Sequence, residues 1–148
     1  MKTKQGKVKK YDAWLSAETM HSSSVKWLSE LRFVKDEQLF FDDLIKSYTL
    51  QLIDSKHFSD SKKVVNQLSA SQKETDALIK VVMAHEKGLE IMVDGLNQIK
   101  EENEYKDEHG KLIITISNFL NKYRALKSTL FALIKSIIKE GKQKRLLQ

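Results

Sequence analysis

The sequence predicts an all-α protein: an elongated, antiparallel, up-down bundle of three long helices with a short N-terminal helix. Two observations carry this. The 148 residues contain no proline and only five glycines, whereas a sandwich or barrel needs a turn about every 8–12 residues. Apolar residues also recur with steps that alternate between four and three, the spacing that keeps one seam of a helix against a partner.

The elements follow in order. Residues 25–57 carry the seam Trp27, Leu31, Val34, Gln38, Phe41, Ile45, Tyr48, Leu52. Ser22-Ser23-Ser24 offers the cap before it, since a serine hydroxyl accepts from an orphan N–H of the first turn. Residues 60–104 carry Val64, Leu68, Ser71, Thr75, Leu78, Val82, His85, Leu89, Met92, Leu96, Ile99. Residues 111–140 carry Leu112, Ile116, Phe119, Tyr123, Leu126, Leu130, Leu133, Ile137. Turns are expected at 57–61 and 106–110, where Ser59 or Asp60 can cap and Gly110 can end a helix. Gly141 is expected to end the last helix. Short turns between long helices make neighbours antiparallel. The middle helix outreaches its neighbours, so Val93, Leu96 and Ile99 need a cover. A short helix near 11–21, bearing Tyr11, Trp14, Leu15 and Met20, is expected to supply it.

The charge is uneven. The chain has 26 Lys and Arg against 20 Asp and Glu, a net +6. Residues 1–10 hold +5 and residues 135–148 hold +4, so 11–134 is net −3. The expected organisation is a basic flexible tail (1–10), one bundle domain (11–140) and a basic C-terminal tail (141–148). A basic tail can hold nucleic acid or an anionic membrane surface without sequence preference. It also serves as a solubilising end, or pairs with the acidic run Glu101, Glu102, Glu104, Asp107, Glu108.

Several classes of chemistry are excluded. There is no cysteine, hence no disulfide framework and no thiol nucleophile. Phosphate-binding glycine loops and the nucleophile elbow are absent as motifs. The apolar stretches are far shorter than the ~20 residues of a membrane helix, and no signal peptide is visible. The expectation is a cytoplasmic, non-enzymatic protein without cofactor. The Lys-, Ile-, Ser- and Asn-rich texture resembles that of small bacterial proteins. Glu18-Thr19-Met20-His21 fits half of a carboxylate-bridged metal motif, but the other histidines lie too far away, and no metal is expected.

Two sets of residues stand out. Folding about the expected turns brings Glu30, His85, Glu86 and Lys127 to one level, with Glu37 one heptad from Glu30. Such a polar layer fixes helix register, or houses a ligand or metal site. Ala77, Ala84, Ile91 and, alongside, Gly88 and Gly95 repeat every seven residues. Glycine costs about 1 kcal/mol in a helix relative to alanine, so this stripe implies close approach by another helix or a second chain. Phe33 and Phe40 form a spare apolar stripe on the first helix. The function read from these features is a protein-interaction or scaffold module that self-associates as a homodimer. The alternatives are anionic-surface binding by the tails and a ligand or metal site in the polar layer.

Overall fold

The computed structural model describes residues 16–54, 58–94 and 99–147, without the side chains of 54, 92–94 and 99–101. The described residues form four helices and no strand: α1 (Ala17–Ser47), α2 (Thr49–Asp54), α3 (Phe58–Asp94) and α4 (Ile99–Leu147). The all-α bundle expected from the sequence is present.

The helix boundaries differ from expectation in four places, each with a local cause. First, α1 begins at Ala17, well before residue 25. The Ser16 hydroxyl accepts from the Thr19 amide at 3.2 Å, which is the N-cap bond. Ser22-Ser23-Ser24 lies inside the helix, where the buried Ser24 hydroxyl donates to the Met20 carbonyl at 2.8 Å. A serine that bonds back one turn is accommodated mid-helix.

Second, the first long helix stops at Ser47 and α2 follows. The Tyr48 amide is shared between the carbonyls of Leu44 (3.3 Å) and Ile45 (3.1 Å). The Ser47 and Thr49 hydroxyls donate to carbonyls of the preceding turn. Three competing donors at one turn loosen the regular ladder.

Third, α3 ends at Asp94 and α4 has started by Ile99. No break falls at 106–110: residues 99–147 are one helix, and Gly110 is an interior residue of α4. Fourth, α4 runs through Gly141 to Leu147, so Lys142, Lys144 and Arg145 prolong a helix. Positive charge there complements the helix C-terminus.

Of the expected short helix near 11–21, residues 17–21 with the buried Met20 form the start of α1 rather than a separate helix. Tyr11, Trp14 and Leu15 lie outside the described residues, as do the 1–10 tail, its pairing with the acidic run, and the cover for Val93, Leu96 and Ile99.

The contacts gather into two compact units: Met1–Arg32 with Ala77–Ser117, and Phe33–Asp76 with Asn118–Gln148. In the first, Met20, Leu28, Leu31, Leu78, Val82, Leu89, Leu112 and Ile116 are buried. In the second, Val34, Phe41, Leu52, Val64, Leu68, Phe119, Tyr123, Leu126, Leu130, Ile134 and Ile137 are buried. Most of these are seam positions of the heptad pattern; Leu28 and Ile134 are buried beside the expected Trp27 and Leu133, which are half-buried. Each fully buried Leu or Phe contributes about 1.5–3 kcal/mol, which makes these stripes the main source of helix stability.

Gly88 is the expected close approach, and its neighbour is α4. A Cβ on Gly88 would collide with the Tyr105 side chain. Tyr105 also packs on the buried Met20–Leu89 contact. Gly88 is therefore filled from within the chain, which removes it from the set of intermolecular contacts expected above. Gly141 has open space where its Cβ would stand. Overpacking costs about 1–3 kcal/mol, and the alanine propensity gain is about 1 kcal/mol. Gly88→Ala is expected to lower unfolding stability by about 1 kcal/mol, whereas Gly141→Ala raises it by up to about 1 kcal/mol. Chemical denaturation of the two variants checks the contrast.

Candidate functional site

Of the residues expected to share one polar layer, Glu30, His85 and Glu86 belong to the first unit and Lys127 to the second. With α4 helical from Ile99, His85 stands beside His109. Three polar clusters stand out among the described residues, and the half-buried Glu30 belongs to none of them.

The first cluster is a histidine pair in the first unit. His85 Nε2 and His109 Nδ1 lie 3.0 Å apart and both rings are buried. Trp27 stacks on His109 at 4.6 Å between ring centroids, and Tyr105 flanks His85 at 5.6 Å. Burial lowers the pKa of His85, partly offset by the Glu108 carboxylate. Burial, with His85 adding to it, pushes His109 down to about 4. Both rings are therefore neutral at pH 7. His85 Nδ1 faces Glu108 Oε2 at 3.6 Å, longer than a hydrogen bond. A bare nitrogen lone pair there would meet a carboxylate, so His85 carries its proton on Nδ1. His85 Nε2 then accepts, and His109 Nδ1–H is the donor.

The second cluster, also in the first unit, joins α1 to α3. His21 Nε2 is 2.9 Å from Glu86 Oε1, and Glu90 stands one turn beyond Glu86. One ligand atom from each of the three lies within 4.8 Å of the others.

The third lies in the second unit. Glu37, expected to face the apolar sector, accepts from the Tyr123 hydroxyl at 3.1 Å and from Lys127 Nζ at 3.1 Å. Burial, then the Glu37 charge, pushes the Tyr123 phenol well above its ordinary pKa, so it stays a neutral donor. In the same unit the buried Gln38 amide nitrogen donates to the hydroxyls of Ser71 and Thr75, each at 3.0 Å. Its carbonyl oxygen is buried without a hydrogen bond. A groove of about 270 Å³ opens between α3 and α4, lined among others by Ser71, Glu74, Phe119, Lys122 and Tyr123. None of the expected ligand residues lines it.

The apolar stripes are exposed where they are described. Phe33 is 62% and Phe40 58% exposed. On α3, Ala77, Ala84 and Ile91 are exposed as well. Gly95 lies outside the described residues. Beside Phe40 lies a feature the sequence did not reveal. The buried Phe41 meets Phe40 edge-on at 5.9 Å and Phe131 of α4 at 5.2 Å, and Phe131 is itself 52% exposed. Phe131 is off the α4 seam by one residue, so its pairing became visible only with the helix register.

Among the described residues no helix is long and apolar enough to cross a membrane. Comparison with known protein families, curated proteins and solved structures finds no match to the chain.

The neutral histidine pair makes stability depend on pH. The unfolded chain takes up protons on these rings below about pH 6.5, while folded His109 resists protonation down to about 4. The contribution is complete above about pH 6.5 and is lost as pH falls toward 4. For His109 alone the loss between pH 7.5 and pH 5 is about 2 kcal/mol. Denaturant unfolding at the two pH values measures it, and His109→Phe is expected to flatten the dependence.

Proposed function

We propose that the protein is an interaction module that associates with a second copy of itself through the aromatic face of α1 and α4 in the second unit. The observation that supports this most is the exposure of Phe33 and Phe40, one heptad apart on one side of α1. Single exposed apolar residues are ordinary on a soluble protein, whereas clustered aromatic rings mark contact surfaces. Phe40 and Phe131 are tied together by the buried ring of Phe41, which anchors the face on the core.

The chemistry of this face suits a copy of itself. A two-fold contact places the same patch against itself, so the patch must be self-complementary. Apolar rings meet this condition. So does the adjacent Glu37–Lys127 pair, which carries both signs of charge. Nothing on this face offers a nucleophile paired with a base, which favours a binding role over a catalytic one.

Sedimentation equilibrium of the full chain is the test. The expected mass is twice that of one chain, and Phe40→Glu is expected to give the monomer with unchanged helix content. A monomer at every concentration up to the solubility limit refutes the proposal. A dimer that survives Phe40→Glu but dissociates with Ala84→Glu refutes the aromatic face and transfers the contact to the α3 stripe.

A further inference from the structure

We propose that His21, Glu86 and Glu90 form a binding site for a divalent transition-metal ion of the zinc class. This rests on other residues than the association face and is independent of it.

The three side chains come from two helices that are locked together beside them. Met20 and Leu89, the chain neighbours of His21 and Glu90, are both fully buried and pack in one cluster. Tyr105 covers the same contact and seats on Gly88, between the two glutamates in sequence. The ligand-bearing backbone is thus held by close packing, which is what a preorganised metal site requires.

The geometry and the donor set agree. Glu86 and Glu90 are one turn apart on α3, so their carboxylates share a face. Like charges at this spacing disfavour each other, and among the described residues no lysine or arginine forms an ion pair with either. Glu86 instead meets the imidazole of His21 at 2.9 Å, with His21 31% and Glu86 20% exposed. A cation between the three would relieve the repulsion and replace that one contact with three. The ligand atoms lie within 4.8 Å of one another, and reaching coordination distances of about 2.0–2.2 Å takes side-chain rotation of the half-buried His21 and Glu86 and the exposed Glu90. One imidazole nitrogen with two carboxylate oxygens suits zinc or its first-row neighbours. It offers too few oxygens for calcium and no soft sulfur for copper(I). Three protein ligands leave a fourth tetrahedral position for water.

Calorimetric titration of the full-length, metal-free protein with Zn²⁺ at pH 7, and separately with Mg²⁺, tests the site. The expected result is one saturable zinc site per chain, a raised melting temperature, and no comparable Mg²⁺ binding. Glu90→Gln, at an exposed position that leaves packing untouched, is expected to weaken zinc at least tenfold. His21→Ala and Glu86→Gln are expected to do the same, and Glu104→Gln is expected to bind like the parent. Circular dichroism confirms that each variant is folded. Absence of saturable zinc binding overturns the proposal. So does zinc binding that folded Glu90→Gln and His21→Ala retain in full, or Mg²⁺ binding of equal strength, which would mark only a diffuse attraction of acidic groups.

Discussion

His85 and His109 meet because α3 stops at Asp94 and α4 is already helical at Ile99. Much of the first unit depends on that pairing. It places a neutral imidazole pair under Trp27 and sets Tyr105 against Gly88. It leaves the Glu108 carboxylate alongside, facing a ring nitrogen of the pair. Each ring is hydrophobic in its environment and polar in its partner, so the pair seals the core while retaining one hydrogen bond. A desolvated imidazole keeps its place only if it stays uncharged, and the lowered pKa values express that condition.

The helical seams were legible because a heptad repeat is a property of the residues themselves. Nearly every seam position from Val64 to Leu89 and from Leu112 to Ile137 is buried. The boundaries were less legible, because local signals compete with packing. Gly110 looks like a helix end, yet its cost of about 1 kcal/mol is smaller than the burial of His109 and Leu112 on either side of it. Ser22-Ser23-Ser24 looks like a cap, yet Ser24 finds a carbonyl within its own helix.

The same shift explains what was and was not visible among the polar residues. His85 is buried, while Glu30, Glu37, Glu86 and Lys127 are half-buried. The partners the sequence suggests depend on a register displaced by several turns, and Glu86 stands beside His21 of α1. Contacts across helices require the position of each break, which single residues specify weakly. The stripe through Gly88 was different. A missing side chain predicts a close neighbour whatever the register, and Tyr105 is that neighbour.

A seam of leucines and valines alone is nearly indifferent to sliding. Displace one such helix by a heptad, about 10 Å, and apolar still meets apolar. Gln38 breaks that translational symmetry. Its amide finds two hydroxyls, Ser71 and Thr75, only at one setting of α1 on α3. Moved one heptad, it would face an aliphatic side chain and strand a second polar atom beside the carbonyl already left without a hydrogen bond. Gln38 thus acts as an address written into an otherwise repetitive surface: it gives up some stability to make one alignment unique.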